Sequence, residues 1–176
     1  AANNVGIGRD ALTANTTGAS NVAVGAYALD ANTTADYNVA VGSSTLSANT
    51  TGANMVAIGQ NALNANTTAS LNIAMGLNAL LLNTTGASNL AIGAYALDEN
   101  TTGYNQVSIG ESSLTSNTTG AANVAVGFQA LASNTTASSN TAIGYQSQMT
   151  TTTGGSNVSV GQGTLDANTT GAGGVV

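Results

Sequence analysis

Apolar and polar residues recur along this chain with a fixed period of 17 residues, through ten consecutive units that run from residue 4 to residue 173 without an insertion. When Asn4 is counted as position 1, positions 2 and 4 are mostly Val or Ile, position 3 is always Ala, Ser or Gly, and position 9 is Leu in nine units. A strict short period is typical of one small unit stacked on copies of itself. The chain is therefore predicted to be a single repeat array over residues 1–176.

Each unit begins like a β-strand and ends like a turn. In the second unit, Asn21 to Val24 alternate between polar or small residues and Val, so that Val22 and Val24 share one face and Ala23 lies on the other. Position 5 is Gly in every unit and predicts a bend of the backbone. Asn-Thr-Thr at positions 12 to 14 predicts the return turn. The constrained positions 8 and 9 predict a second strand that is short and irregular.

Seventeen residues fit one coil of a β-solenoid with two short strands and two turns. A helical solenoid needs at least about 33 residues per repeat, and the Gly at position 5 would interrupt a helix. The predicted fold class is all-β, a parallel β-solenoid of ten coils, in which the Asn and Thr of the turns bond along the stack. We expect positions 2 and 4 to fill the interior with the Leu of position 9. The small residues of position 3 would then lie against a partner chain, and the variable positions 6 and 7 would face solvent.

Composition excludes most kinds of chemistry. The chain has no His, Cys, Lys, Trp or Pro, and its one cation, Arg9, stands against seven carboxylates. Without His or Cys there is no Ser–His or Cys–His pair, so we predict no enzyme. Sparse carboxylates and the absence of a phosphate-binding motif predict no metal and no cofactor. One basic residue offers no surface for nucleic acid, and the longest apolar run, residues 79–82, falls far short of the roughly 20 residues that span a bilayer.

The Asn-Thr-Thr turns also satisfy the acceptor pattern for N-glycosylation. The alternative is that these side chains form ladders within the stack, because adjacent sites would lie only about 4.8 Å apart, too close for a glycan on every coil. The candidate glycosylation sites are Asn15, Asn32, Asn49, Asn66, Asn83, Asn100, Asn117, Asn134 and Asn168.

The segment from Asn140 to Gln146, followed in most units by Leu and by Asn-Thr-Thr-Gly, resembles the head repeats of trimeric autotransporter adhesins of the YadA type, and equally the repeats of bacteriophage tail fibres. The Asn-Val-Ala-Val-Gly or Asn-Leu-Ala-Ile-Gly core carries the resemblance along the whole chain. The resemblance implies a left-handed parallel β-roll, with three chains around one axis, displayed outside a cell or virion. The chain departs from the adhesin heads in its longer repeat and in lacking a neck or coiled-coil stalk sequence.

Few residues flank the array: three precede the first unit and three follow the tenth, and neither segment resembles a cap. An uncapped coil exposes backbone donors and acceptors, so we expect a longer array or end-to-end stacking. The predicted function is structural, an extracellular filament on a cell surface or virion that associates with copies of itself. Adhesion to a host receptor or glycan would be an added role. The alternatives are the receptor-binding shaft of a phage tail fibre and an ice-binding solenoid that uses its stacked Thr.

Overall fold

The computed structural model describes residues 2–176 and forms a parallel β-solenoid, which confirms the predicted fold class. Ten strands of three residues pair in chain order in a single sheet. The register joins equivalent residues of successive units, as in the pairing of Val22 with Val39, so each coil is one 17-residue unit. The strands are β1 (Val5–Ile7), β2 (Val22–Val24), β3 (Val39–Val41), β4 (Val56–Ile58), β5 (Ile73–Met75), β6 (Leu90–Ile92), β7 (Val107–Ile109), β8 (Val124–Val126), β9 (Thr141–Ile143) and β10 (Val158–Val160).

The second half of each coil stacks on its neighbours without forming a strand. In the second coil, Leu29 N–H donates to Thr45 O of the third coil at 3.1 Å, and Tyr27 N–H donates to Arg9 O of the first coil at 2.8 Å. Tyr27 and Leu29 nevertheless have left-handed backbones, with φ of 59° and 50°. Two left-handed residues within three curl the chain too tightly for an extended strand. The predicted second strand was therefore wrong, since a run of stacked turns takes its place.

The small residues at position 3 of each strand point into the interior of the solenoid, which is the opposite of the prediction. Ala23 and Leu29 are fully buried, whereas Val22 and Val24 are only partly buried. Positions 8 and 9 lie directly across the interior from position 3: a Cβ at Gly6 would lie 3.7 Å from Leu12 Cδ1. The coil is too narrow for Val on the inner side of the strand, so Ala, Ser or Gly occupies position 3. The predictions that positions 2 and 4 fill the interior, and that position 3 meets a partner, were both wrong.

Candidate interaction surface

The outward side chains at positions 2 and 4 form a continuous surface along one flank of the solenoid, called here the apolar strip. Because position 3 points inward, alternation along each strand sends its two neighbours outward. All but one of these twenty residues are Val, Ile, Leu or Met, and Thr141 is the polar one. The most exposed members are Val5, Ile7, Ile58, Ile73, Met75, Ile143, Val158 and Val160, with 36% to 61% of their surface accessible.

The apolar strip is large for an uncovered surface. With ten coils at about 4.8 Å each, it is about 45 Å long and about 10 Å wide, or roughly 450 Å² in projection. The largest apolar patch of a typical monomeric protein covers about 300–600 Å², and such patches often serve in binding. None of the ten units carries a charged residue at positions 1 to 4. Another apolar surface would cover the strip without leaving a charge unpaired.

Buried Asn side chains hold each strand against the return turn. At position 1, Asn21 Oδ1 accepts the N–H of Asn38 in the next coil at 2.9 Å. Asn38 Nδ2 in turn donates to Gly52 O, at position 15 of its own coil, at 2.9 Å. Asn21 and Asn38 are both fully buried. This pair of bonds recurs along the stack except at the fourth coil, where Met55 takes the place of Asn. It fixes the start of the other strands, and with it the direction of the apolar strip.

A second Asn ladder runs through position 12, as the sequence predicted. Asn100 Nδ2 donates to Asn83 Oδ1 at 2.8 Å and to Gly103 O at 3.0 Å, while Asn117 Nδ2 donates to Asn100 Oδ1 at 3.0 Å. These are candidate glycosylation sites, and the seven from Asn32 to Asn134 are fully buried. Asn15 and Asn168 are partly exposed. A transferase could reach the seven buried amides only before the coils fold, and glycosylation stays a prediction.

The two Thr rows differ in how their hydroxyls are used. At position 13, the Oγ1 of Thr84 donates to Thr101 O of the next coil at 3.0 Å, and the same bond recurs along the stack as predicted. The position-14 residues, from Thr17 to Thr170, are exposed in every coil. These hydroxyls face solvent and make no bond along the stack, so the predicted ladder was wrong for position 14. Ice binding by this row stays a prediction.

The variable positions 6 and 7 reach the surface in all ten coils, as predicted. Two aromatic rings there, Phe128 and Tyr145, stack with their centroids 5.3 Å apart, and Gln146 Nε2 donates to Gln129 Oε1 beside them at 2.8 Å. Each of the stacked rings covers one face of the other.

Two carboxylates at position 10, those of Asp30 and Asp98, are perturbed by burial. Burial raises the pKa of Asp98, partly offset by Thr115 Oγ1, which donates to Asp98 Oδ1 at 2.6 Å. Burial likewise raises the pKa of Asp30, whose Oδ1 has no partner. Residues 2–176 hold no cluster of three or more metal-ligating side chains and no pocket. In that same part of the chain no helix is long and apolar enough to cross a membrane.

Comparison with protein-family models, with curated proteins and with solved structures gave no match for this chain. The likeness to adhesin heads and tail fibres therefore rests on the repeat motif alone. The alternation of the sequence predicted that the residues of the apolar strip would lie in the interior. The signal that could have located it is the restriction of position 3 to Ala, Ser and Gly, because a strand side limited to such small residues has little space in front of it.

Proposed function

We propose that this chain is a shaft segment of an extracellular structural fibre and that its copies associate side by side through the apolar strip. The observation that carries the proposal is the uncovered face of a ten-stranded parallel sheet. Parallel sheets are almost always covered on both faces. Here the solenoid interior covers one face, and a second copy of the chain is the occupant that would cover the other.

The available area is sufficient for a stable contact. With the flanking positions 17 and 6 included, the surface is about 20 Å wide and covers roughly 900 Å². A specific protein interface buries about 800 Å² on each partner. Three chains around one axis, as the adhesin-like motif implies, would bring three strips together at that axis and leave the Thr rows and other variable residues outside.

End-to-end stacking is a second route to a fibre. Val175 forms a parallel bridge with Val158, so the ladder continues beyond the tenth coil in the same register. Extracellular display on a cell or virion is supported by the motif resemblance. Adhesion to a receptor or glycan would use outward variable positions repeated along the shaft, where weak contacts sum by multivalency.

The test replaces apolar residues in the strip with residues that the repeat already tolerates. Val22, Val39 and Val124 at position 2 are changed together to Thr, which occupies the same position at Thr141. We expect the unchanged protein to sediment as an oligomer at micromolar concentration and the variant to shift toward the monomer with an unchanged circular dichroism spectrum. The matched control changes Ala31, Ala48 and Ala65 to Thr at position 11, on the opposite flank, and should still associate. An unchanged protein that remains monomeric at high micromolar concentration would refute side-by-side assembly.

Adhesion, a phage receptor-binding shaft and ice binding differ in the ligand that the fibre retains. Labelled protein retained on bacterial cells and released by soluble surface polysaccharide would favour the phage shaft. Retention on animal cells or on a glycan array would favour the adhesin. Thermal hysteresis that is lost when Thr85 and Thr102 are changed to Lys would favour ice binding. A purely structural fibre would give none of these results.

A further inference from the structure

The apolar strip changes width at the fifth coil, residues 72–88. There the two flanking positions join the strip, so that four large apolar side chains lie side by side across it. Their accessible fractions are 59% for Leu71 at position 17 of the preceding unit, 39% for Ile73, 38% for Met75 and 40% for Leu77 at position 6. The fifth coil thus exposes a band of apolar surface that crosses the strip from edge to edge.

No other coil carries large apolar residues on both edges of the strip. At the third coil the edge residues are Tyr37 and Ser43, and at the ninth they are Ser139 and Tyr145. The eighth coil pairs Ala122 with Phe128. The remaining coils have polar or small residues at these two positions. Elsewhere along the shaft, therefore, the strip is bordered on at least one side by polar or small residues.

Position along the shaft also distinguishes this band. The fifth coil lies at the middle of the ten coils, so other strip residues flank it on both sides. Residues that contribute most to binding cluster near the centre of an interface and are surrounded by contacts that keep water out. Met75 suits such a place because its unbranched side chain adapts to an irregular partner surface.

We propose that the band of Leu71, Ile73, Met75 and Leu77 is the anchor of self-association, and that its partner is the same band in a second copy of the chain. This inference rests on the proposed side-by-side assembly. When copies align in parallel and in register around an axis along the shaft, Leu77 of one copy lies opposite Leu71 of the next. When copies of equal length align antiparallel, the fifth coil lies opposite the sixth, where Ser88 and Ala94 would meet the two leucines. Of these two full-overlap alignments, the parallel one lets the band cover itself fully.

The test compares edge variants that use the same positions and the same new residue. The anchor variant is Leu71→Ser with Leu77→Ser. The matched variant, Tyr37→Ser with Tyr145→Ser, also changes one residue at position 17 and one at position 6, and those tyrosines are 62% and 49% exposed. Ser already occurs at both positions, for example at Ser20 and Ser43. A third variant, Leu82→Ser, removes a leucine that is 46% exposed on the opposite flank.

Dissociation constants from sedimentation over a range of concentrations give the answer, with circular dichroism as the check on folding. We expect at least a tenfold weakening for the anchor variant, less than a threefold change for the tyrosine variant and none for Leu82→Ser. Equal weakening by the leucine and tyrosine variants would overturn the anchor while leaving side-by-side assembly intact. Weakening by Leu82→Ser equal to that of the anchor variant would also overturn it, because the opposite flank would then contribute as much. An unchanged protein that never associates would instead refute the proposed assembly itself.

Discussion

Glycine at position 5 is the residue on which the stacking of coils depends most directly. Gly93 has a φ of 134°, a conformation that is costly for residues with a side chain. A Cβ at this position would also lie 2.6 Å from the carbonyl carbon and oxygen of Gly110 in the next coil. The same two constraints recur at position 5 in the interior coils. They explain why this position accepts no other residue in any unit.

Changing Gly93 to Ala should therefore destabilise the protein by about 3–5 kcal/mol, from backbone strain and a clash that only a backbone shift can relieve. Denaturant unfolding followed by circular dichroism measures the loss. Gly163→Asn is the control, because Gly163 also has a positive φ, 62°, but a Cβ there meets nothing within 4 Å. Asn occupies the equivalent position 7 at Asn61 and Asn78. A Gly93→Ala variant as stable as this control would contradict the close approach of the coils.

Substitution of a buried Asn at position 12 should destabilise the protein as much as substitution of a glycine at position 5. Asn100→Ala removes two donated bonds and one accepted bond, and leaves Asn83 Oδ1 and one N–H of Asn117 Nδ2 buried without partners. Each unpaired buried group costs about 1–3 kcal/mol, so we expect a loss of about 3–5 kcal/mol. Denaturant unfolding followed by circular dichroism measures the loss. Thr102→Ala is the control, because Thr102 is exposed, and the midpoint of its unfolding transition should not change. Equal midpoints for both variants would mean that the ladder adds little to stability.

The pH dependence of stability should follow the buried carboxyl of Asp98. Because burial raises its pKa above the ordinary value of 3.8, the folded chain holds this proton more tightly than the unfolded chain. The resulting contribution to stability is fully present below the ordinary value and is lost as pH rises through the folded pKa. Asp98→Asn should remove that dependence and be the more stable protein at neutral pH, as Asn64 occupies the same position in the fourth coil. Unfolding midpoints from about pH 3 to about pH 7 give the comparison. If the difference between the two unfolding midpoints stayed constant across that range, the predicted contribution of Asp98 to the pH dependence would be contradicted.

At the scale of the element, each coil combines one strand that the sequence predicted with a run of turns that it did not. The alternation at positions 1 to 4 and the Gly at position 5 predicted strand and bend correctly. The left-handed backbone at Tyr27 and Leu29 gave no compositional signal, because such residues rarely adopt it. Stacking against identical neighbours imposes that conformation, since the backbone groups then pair with the coils above and below.

The ninth coil, residues 140–156, departs from the repeat pattern at two buried positions as well as at the outward position 2. Thr151 replaces Asn in the ladder, so Asn134 Oδ1 lacks the donor that equivalent oxygens have. Gln148 replaces Leu and leaves its own Oε1 buried without a partner. Two unpaired buried oxygens in adjacent coils make this the weakest part of the described interior.

Restoring the pattern with Gln148→Leu and Thr151→Asn should stabilise the protein by about 2 kcal/mol, because it pairs one oxygen and removes the other. The double variant loses the two bonds that Gln148 Nε2 donates, to Ser159 Oγ and to Thr141 O. It also loses the bond from Thr151 Oγ1 to Asn168 O, while Ser159 keeps its contact with Ser147 Oγ. Thermal unfolding provides the measurement, with Gln162→Asn at an exposed position as the neutral control. A lower midpoint for the double variant would show that the polar residues of this coil support one another better than the repeat pattern does.

At the scale of the whole molecule, the period, the number of coils, the Asn ladder at position 12 and the Thr ladder at position 13 could be predicted from sequence, whereas the Asn ladder at position 1 was not predicted. Which face of the sheet points into the solenoid could not be predicted from hydrophobicity alone. Val22 and Val24 are the more apolar residues and were placed inside, yet Ala23 is the residue that is buried there. In the first coil a Cβ at the equivalent Gly6 would already lie 3.7 Å from Leu12 Cδ1, so a larger side chain does not fit. Steric fit overrides hydrophobicity here, and the valines that do not fit inside become a surface that a second chain can cover.

The measurement that tests this account most directly is electron cryomicroscopy of the purified protein at micromolar concentration. It reports the number of chains across the shaft and the side chains at their contact. The expected result is a shaft of several parallel chains with a coil spacing of about 4.8 Å, in which positions 2 and 4 meet between chains and position 3 lies inside each coil. Single-chain rods with a free apolar strip, or coils with their Val and Ile turned inward, would contradict the account.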